Sequence, residues 1–138
     1  MTAFVDSSAW YAAADADDAN HLRAAARIEE FAGQLLTSDH VLIETWYLAS
    51  RRLGVHTAET LLNGIRQGIA RVEPATLADL EVAAHIQEAF PDQGFSIVDR
   101  TSWSVMQRLG VHEAIAFDRD FSIYRFGPDR RRAFTVRM

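Results

Sequence analysis

The sequence predicts an α/β protein, namely a single-domain α/β/α sandwich over residues 1–138 with a mostly parallel central sheet of four to five strands. Short apolar segments alternate with longer helical segments along the whole chain, and strands separated by helices form parallel sheets that are covered on both faces. The length of 138 residues suits one domain with a substantial core. A hydrophobic content of 49% and a charged content of 24% are ordinary for a globular protein.

The predicted strands are short and apolar. The first is FV, directly before Asp6, and the second is QLLTS. The third, IARVEP, ends at Pro74, because proline cannot continue a strand ladder. AIAF is predicted as a fourth strand that runs into Asp118, and AFTV near the C-terminus is a candidate fifth. Sites in parallel sheets lie outside the carboxyl ends of the strands, so Asp6 and Asp118 are the first candidates for a site.

The predicted helices fill the intervals between the strands. SSAWYAAA follows the first strand, and after the polar break DADDAN the alanine-rich segment HLRAAARIEEFAG ends at Gly33. HVLIETWYLASRRL is closed by Gly54, and HTAETLLNGIRQG follows it. Pro91 stops the helix TLADLEVAAHIQEAF, and FSIVDRTSWSVMQRL is helical up to Gly110. Glycine is a common end signal because it adopts the left-handed backbone conformation at little cost.

Composition excludes several classes of protein. The absence of cysteine excludes disulfides and thiolate metal sites, and it favours a cytoplasmic location. No basic segment leads into an apolar stretch at the N-terminus, so no signal peptide is expected, and no apolar run approaches membrane-spanning length. The 14 basic residues are all arginine, and the net charge is −5. Binding of nucleic acid by bulk positive charge is therefore not expected.

Several common site motifs are missing. The first strand is not followed by G-x-G-x-x-G, and G-x-x-x-x-G-K-[ST] does not occur, so neither a dinucleotide site nor a P-loop is supported. The five histidines form no pair at i, i+4, which argues against a helical zinc site. His40 lies one turn before Glu44, but we expect it to be solvated at the start of its helix.

Two carboxylates follow predicted strands, and each has a plain structural interpretation. Asp6 and the serines after it suit the cap of a helix that begins there. Asp118 and Asp120 form a D-x-D pair, which is frequent in ordinary turns.

Two further acids lie on predicted helices. Glu44 stands in a strongly apolar helix, where burial is costly unless a cation meets it. The alternative is a narrow solvated stripe shared with Arg51 or His40. Asp99 completes the pattern Ser96-x-x-Asp99, which matches a capping box and would explain this acid without any chemistry.

The arrangement of these acids carries more information than any one of them. In a parallel α/β sheet their positions can converge at one end of the sheet. Clustered carboxylates repel one another and raise one another's pKa unless cations occupy the site. Ligands that are all oxygen suit Mg²⁺ or Mn²⁺ and do not suit zinc. Two such ions can activate water and stabilise the leaving oxygen during phosphodiester cleavage.

The sequence resembles a known family at this point: it is similar to PIN-domain ribonucleases, specifically to VapC-type toxins of bacterial type II toxin–antitoxin systems. The resemblance rests on four motifs in family order and covers essentially the whole chain. The motifs are FVDSSAW, TSDHVLIETWYLASRR, FSIVDRTSWSVMQRLGV and AIAFDRDF.

The resemblance implies a PIN-like fold and a set of site residues. It assigns Asp6, Glu44, Asp99 and Asp118 to an acidic cluster that is catalytic and binds Mg²⁺ or Mn²⁺. Ser8 matches the hydroxyl position that supports the first aspartate and the waters of the metal. Asp120 lies in the fourth motif, where an additional acid varies among relatives, and it is kept as an accessory residue.

The implied activity is metal-dependent endonucleolytic hydrolysis of RNA, leaving a 5′ phosphate and a 3′ hydroxyl. The second and third motifs are most similar to a subgroup that acts on structured RNA, such as tRNA or the sarcin–ricin loop of large-subunit ribosomal RNA. Relatives commonly form homodimers and bind an antitoxin protein whose C-terminal segment covers the active-site groove. These partners are expectations from the resemblance.

Some basic and aromatic residues are secondary candidates. Arg100 and Arg119 each follow a motif acid and are candidate RNA contacts, with ion pairing at an acidic rim as the alternative. The run 130–132 is the only basic cluster, either a phosphate-binding edge or a solvated segment before the last strand. At least two of the three tryptophans are expected to pack in the core or at a dimer interface.

Two other functions remain as alternatives to the nuclease. A non-catalytic RNA- or protein-binding PIN module is the first, although the complete set of motif acids argues against it. A different Mg²⁺-dependent phosphotransfer enzyme centred on the D-x-D pair is the second. It is disfavoured because Asp6 has no second acid two residues further on.

Overall fold

The central sheet of the protein has five strands, all parallel. A computed structural model describes residues 1–138. The strands are β1 (Ala3–Val5), β2 (Leu35–Ser38), β3 (Arg71–Glu73), β4 (Glu113–Ile115) and β5 (Thr135–Arg137). Their order across the sheet is β3-β2-β1-β4-β5. In the register, Phe4 of β1 lies opposite Leu36 of β2 and Ala114 of β4.

Seven α-helices connect the strands. They are α1 (Ser7–Ala14), α2 (His21–Glu30), α3 (Asp39–Leu53), α4 (Val55–Gly64), α5 (Leu77–Ala89), α6 (Ile97–Leu109) and α7 (Asp120–Ile123). A π-helical turn, Ile65–Ile69, extends α4 and contains Gly68 at φ 125°, a backbone conformation that a residue with a Cβ atom rarely adopts. No helix combines the length and the apolar character that crossing a bilayer requires.

The strand order distributes the helices over both faces of the sheet. The chain moves from β1 to β2 to β3 in one direction and then returns past β1 to β4 and β5. Because crossovers between parallel strands are right-handed, reversing the direction moves the connecting helices to the opposite face. Helices α1 to α4 therefore cover one face, and α5 to α7 cover the other. The predicted α/β/α sandwich is confirmed, with all five strands parallel.

Buried side chains of the strands and of α6 form the centre of the core. Phe4, Leu36 and Ile115 are almost fully buried within the sheet. Trp103 on α6 is inaccessible to solvent and stacks on Tyr124, with ring centroids 4.3 Å apart. Apolar burial of this kind is the main favourable contribution to folding. Two of the tryptophans, Trp10 and Trp103, are core residues, as the sequence predicted.

The structure corrects three details of the sequence prediction. Helix α2 ends at Glu30, before the predicted end at Gly33. Strand β4 stops at Ile115, because its ladder with β5 ends there, so Asp118 lies in a loop and not directly after the strand. The short helix α7, which begins at Asp120, was not predicted, because four residues leave no periodic pattern in the sequence.

An ion pair between a buried carboxylate and a partly exposed arginine joins α5 to α6. Asp79 on α5 is 1% exposed and accepts hydrogen bonds from Ser104 (2.7 Å) and from Arg108 Nε (3.1 Å) on α6. It also accepts from the backbone N–H of Thr76, which completes a capping box at the start of α5. Burial by itself would raise the pKa of Asp79, but the hydrogen bonds from Arg108, Thr76 and Ser104 outweigh it and lower the pKa to about 2.

Removing the cation of this pair should destabilise the protein strongly. Arg108→Met removes the cation that donates hydrogen bonds to the Asp79 carboxylate, and we expect the free energy of unfolding to fall by about 1.5–3 kcal/mol in urea denaturation. Arg27→Met is the matched control, because Arg27 pairs with Glu30 at an exposed site, and it should cost at most about 1 kcal/mol. Equal effects of the two substitutions would contradict the assigned role of Arg108.

Candidate active site

The site lies at the carboxyl ends of β1 and β4, where the direction in which the chain adds strands to the sheet reverses. β1 and β4 are neighbours in space but are separated by most of the chain, and ligands of open α/β sheets bind at such switch points. The backbone N–H of Asp6 donates to the carbonyl of Ile115 across this boundary, at 3.0 Å. The position of Asp6 is therefore fixed by the strand pairing itself.

Three carboxylates converge at this point of the fold. Asp6 follows β1, Asp99 lies in the first turn of α6, and Asp118 lies in the loop after β4. One carboxylate oxygen of each lies within 4.8 Å of the others. Asp6 is 1% exposed and Asp99 is 4% exposed, whereas Asp118 is half-buried. Charges so close together and so poorly solvated repel strongly unless protons or cations compensate them.

Asp6 is both the cap of α1 and a member of this cluster. Its Oδ2 atom accepts from the backbone N–H of Ser8 at 3.2 Å and from the Ser8 hydroxyl at 2.7 Å. Its Oδ1 atom is buried and has no hydrogen-bond partner. Burial raises the pKa of Asp6 to about 6, with the charge of Glu44 adding to it and the bonds from Ser8 opposing it. The Oδ2 atom of Asp6 is thus bound at the start of α1, whereas its Oδ1 atom has no partner within the protein.

The capping box predicted at Ser96 and Asp99 is only half formed. Ser96 Oγ accepts from the backbone N–H of Asp99 at 3.0 Å, but the Asp99 carboxylate makes no return bond to Ser96. The capping-box interpretation therefore does not account for this carboxylate, which lies beside Asp6 and Asp118. Burial and the neighbouring charges of Asp6 and Asp118 together raise the pKa of Asp99 to about 9.

Ser8 connects the first motif to the loop that carries Asp118. Its hydroxyl donates to Asp6 and accepts from the backbone N–H of Phe117 at 3.0 Å. Asp118 Oδ1 accepts from the backbone N–H of Asp120 at 2.9 Å, which organises the start of α7. Burial and the neighbouring charge of Asp118 raise the pKa of Asp120. Asp120 itself lies outside the three-carboxylate group.

Glu44 lies next to the three carboxylates and is not one of the atoms grouped within 4.8 Å. Its charge contributes to the raised pKa values of Asp6 and Asp99, which places it beside both. Its Oε1 atom accepts a hydrogen bond from the hydroxyl of Ser7. Glu44 is half-buried and shares one face of α3 with His40 and Arg51, as the alternative of a common stripe predicted, but no ion pair joins it to either residue. The sequence analysis missed Ser7; its signal was its position beside Ser8 at the first residue of α1.

His40 is half-buried and contacts α6, which the sequence did not predict. We expected it to be solvated at the helix start, but its Nδ1 atom lies 3.2 Å from the hydroxyl of Thr101 on α6, and its side chain lines a groove with Glu44. The expectation of simple solvation was wrong. The spacing of His40 and Glu44, one helical turn apart, was the signal that both share one face of α3.

The arginines that follow motif acids differ in their surroundings. Arg100 donates to the backbone carbonyls of Phe95, Ser96 and Ala83, with 2.7 Å for the last. These contacts tie α6 to α5 and favour a structural role for Arg100. Arg119 is exposed at the start of α7, and its contact with RNA stays a prediction.

The run 130–132 is mostly engaged within the C-terminal segment. The guanidinium of Arg130 lies 5.5 Å from the ring centre of Phe90, and Arg131 pairs with Asp129 at 3.8 Å. The backbone of Arg132 bridges to Phe126. These contacts support the interpretation as a surface segment before β5.

The acidic cluster fits a divalent cation. The donors are carboxylate oxygens, which are hard ligands of the kind that Mg²⁺ and Mn²⁺ prefer. The buried Oδ1 atom of Asp6 lacks any partner within the protein, and a buried acceptor without a partner is costly. A cation bound between Asp6, Asp99 and Asp118 would satisfy that atom and relieve the repulsion among the three charges.

Comparison with known proteins identifies the class. The family described as "PIN domain" matches residues 3–127, and the chain belongs to the PIN-domain family. Within it, the chain is a VapC-type ribonuclease: it is 42% identical over 125 residues to the protein named 23S rRNA-specific endonuclease VapC20 from two strains of Mycobacterium tuberculosis, CDC 1551 / Oshkosh and ATCC 25618 / H37Rv. The alignment covers 89% of this chain and 94% of that protein.

Other relatives and solved structures agree on the fold. Ribonuclease VapC26 of M. tuberculosis H37Rv is 28% identical over 115 residues, covering 83% of this chain and 85% of that protein. The crystal structure of M. tuberculosis VapC20, described as a sarcin–ricin loop cleaving toxin, matches with a TM-score of 0.84 at 36% identity over 88% of this chain and 94% of that one. A DNA-bound VapBC structure from Salmonella typhimurium matches with a TM-score of 0.63 at 12% identity over 99% of this chain and 97% of that one, which concerns the fold alone.

Neutralising Asp99 should stabilise the metal-free protein at alkaline pH. Because the pKa of Asp99 is raised in the folded state, the folded state binds more protons than the unfolded state between about pH 4 and pH 9. The stability of the metal-free protein should therefore fall as the pH rises through that range. A pKa displaced by one unit corresponds to about 1.4 kcal/mol, so Asp99→Asn should be more stable than wild type by at least about that amount at pH 8 in EDTA.

Chemical denaturation at pH 5 and at pH 8 tests this expectation. The control is Asp92→Asn, an exposed acid outside the three-carboxylate group, which should behave as wild type. Added Mn²⁺ should stabilise wild type and the control but not Asp99→Asn. An Asp99→Asn variant that is less stable than wild type at pH 8 would contradict the repulsion described for the cluster.

Removing the Ser8 hydroxyl should weaken both the fold and the site. Ser8→Ala breaks the bond to Asp6 and the bond from Phe117, so we expect a loss of about 1–2 kcal/mol in unfolding free energy. Mn²⁺ affinity by titration calorimetry should fall about tenfold, since groups that orient metal ligands typically carry effects of that size. Ser122→Ala, at an exposed position, is the control. Unchanged Mn²⁺ affinity in Ser8→Ala would remove Ser8 from the supporting role.

Proposed function

We propose that this protein is a metal-dependent endoribonuclease toxin that cleaves large-subunit ribosomal RNA and is neutralised by an antitoxin protein. One observation carries the proposal. Three carboxylates, two of them buried and one with an oxygen that has no partner, meet at the switch point of the sheet in a chain that is 42% identical to a 23S rRNA-specific endonuclease. The nuclease class follows from the family, whereas the substrate and the metal are proposals for this chain.

Asp6, Asp99 and Asp118 would hold Mg²⁺ or Mn²⁺, with Glu44 beside them and Asp120 as an accessory acid. When bound there, the cation lowers the pKa of water and offsets negative charge on the phosphate. In the absence of such a cation, these carboxylates would repel the phosphodiester backbone. Water adds to phosphorus in the overall reaction, the bond to the 3′ oxygen breaks, and the products carry a 5′ phosphate and a 3′ hydroxyl.

The protein contributes orientation of the acids. Ser8 fixes the Asp6 carboxylate against the turn after β1, and its bond to Phe117 holds the loop of Asp118 in reach. The hydroxyl of Ser7 donates to Oε1 of Glu44 and thereby fixes the orientation of the Glu44 carboxylate, including its second oxygen. Pre-oriented ligands of this kind avoid reorganisation when substrate binds. No side-chain nucleophile is required.

The partners proposed for this protein follow from its relatives. VapC20 is described as a sarcin–ricin loop cleaving toxin, and by similarity we propose that loop as the preferred RNA. We also propose that the protein binds an antitoxin protein and forms a homodimer. We further propose that residues 1–138 form a single domain and that the protein acts in the cytoplasm. A non-catalytic PIN module is the alternative, and it is disfavoured by the complete acid cluster.

Cleavage of purified ribosomes tests the proposal. With Mg²⁺ or Mn²⁺, the wild-type protein should produce one discrete new 5′ end in 23S rRNA, mapped by sequencing, and EDTA should abolish it. Asp6→Asn and Asp99→Asn should lower the cleavage rate at least about a hundredfold, because orienting groups near metals already account for ten- to hundredfold effects. Asp92→Asn is the control for an acid outside the cluster.

The outcomes separate the candidate functions. RNA binding without any cut by the wild-type protein would favour the non-catalytic module. Cleavage that persists in both Asp6→Asn and Asp99→Asn would retain the nuclease and overturn the assigned site. A discrete cut in another RNA, with ribosomal RNA intact, would retain both the nuclease and the site and overturn the proposed substrate.

A further inference from the structure

A groove runs along α3 beside the acidic cluster, and the function described so far does not use it. We call it the α3–α6 groove; its volume is about 550 Å³, and the residues that define it here are His40, Ile43, Glu44, Tyr47, Arg51 and Ile97. The α3 residues among them recur every three or four positions, so they form one stripe along the helix. Ile97 begins α6 and closes the opposite side.

We propose that the α3–α6 groove binds the base of a nucleotide next to the scissile phosphate, with the ring of Tyr47 as its stacking surface. This inference rests on the proposed RNA cleavage and adds the subsite that would select the nucleotide. Glu44 lines the groove and lies beside the three carboxylates, so a strand whose phosphate lies at the carboxylates has its neighbouring nucleotide at the mouth of the groove.

The walls of the groove are suited to an aromatic base. Tyr47 is 55% exposed, Ile43 58% and Ile97 49%, and all three line the same groove, whereas contiguous exposed apolar side chains mark binding surfaces more than scattered ones do. The ring of Tyr47 is supported edge-on by Trp46, with centroids 5.4 Å apart, and Trp46 Nε1 donates to Glu59 at 2.9 Å. A rigid, exposed aromatic ring beside aliphatic walls is what proteins use to stack an unpaired RNA base.

A defined polar atom is available at one end of the groove. The hydroxyl of Thr101 donates its only hydrogen to the carbonyl of Val98 at 3.1 Å, so towards His40 it can only accept. We therefore assign the hydrogen of that bond to the Nδ1 atom of His40, 3.2 Å away. The Nε2 atom of His40 remains free, and in the neutral ring it is an acceptor for an amino or imino group of a base.

A free cation lies at the other end of the groove. Arg51 is exposed and makes no hydrogen bond or ion pair with the protein. Seven residues separate it from Glu44, which is about 10 Å along the helix axis. In a protein with a net charge of −5, an unpaired guanidinium next to an apolar groove is a local site for a phosphate of the same strand.

Substitutions at Tyr47 combined with base deletions in the RNA test the proposal. The substrate is a synthetic RNA hairpin with the sequence of the sarcin–ricin loop, the RNA proposed above, together with versions that each lack one base of the loop. Tyr47→Leu should lower kcat/KM about tenfold to a hundredfold, the range expected for loss of one base stack. Tyr47→Phe should retain most of the activity, and Leu77→Ala, at an exposed apolar position on α5, is the control.

The combination with base deletion identifies the contact. One deleted base should reduce the wild-type rate as strongly as Tyr47→Leu does, and deleting it should have little further effect on Tyr47→Leu. Mn²⁺ affinity should be unchanged in Tyr47→Leu, which separates a lost RNA contact from a damaged metal site. His40→Ala should also reduce kcat/KM, and deletion of the same base should have little further effect on this variant.

Binding of the same hairpin, measured by fluorescence anisotropy with Ca²⁺ in place of Mg²⁺, separates this inference from the proposed function. Tyr47-dependent binding without cleavage by wild type would overturn the proposed nuclease function and retain the groove as an RNA site. Cleavage and binding that are both indifferent to Tyr47→Leu, or losses that simply add, would overturn the groove. A Tyr47→Leu variant that cleaves normally but escapes inhibition by an antitoxin peptide would reassign the groove to protein binding.

Discussion

Mutual repulsion among three carboxylates at the junction of β1 and β4 is the constraint around which this structure is arranged. Asp6 and Asp99 are almost completely buried, and one carboxylate oxygen from each, with one from Asp118, lies within a 4.8 Å group. Such a cluster is unfavourable when all three carboxylates are charged and no cation is bound, and the stability of the surrounding fold offsets that cost. The cluster is therefore stabilised by the fold and available to a cation.

Each acid is held in place by a structural element that has its own source of stability. The strand pairing of β1 with β4 fixes the backbone of Asp6, and the Ser96 cap fixes the start of α6. At the far side of α6, the ion pair of Asp79 and Arg108 joins that helix to α5. The favourable energy of core packing, capping and ion pairing thus offsets the unfavourable energy of the site.

The fold was largely predictable from the sequence because its signals are local. Apolar runs bounded by Gly54, Pro91 and Gly110 gave the order of strands and helices, and alternation of the two implied a parallel sheet. The details that failed, the end of β4 and the short helix α7, depend on hydrogen bonds to the distant strand β5 and on turns of few residues. Such features leave little periodic signal in one sequence.

The site was predictable in its acids and less so in their support. Asp6 and Asp118 were predicted from their positions after strands, and the family motifs added Asp99 and Glu44. The structure brings the three aspartates together and places Glu44 beside them. The capping-box alternative for Asp99 could be decided only from side-chain geometry, since the sequence pattern is the same with or without the return bond. The roles of Ser7 and His40 depend on contacts across 37 and 61 residues, which no local pattern encodes.

The central claim is that Asp6, Asp99 and Asp118 form a cation site, and crystals grown with Mn²⁺ test it most directly. Anomalous diffraction should show a peak between the three carboxylates, with the Oδ1 atom of Asp6 among the ligands. The same experiment on Asp99→Asn should show that peak lost or strongly reduced. A wild-type crystal with no anomalous peak at the three carboxylates, or with Mn²⁺ bound only elsewhere, would contradict the account.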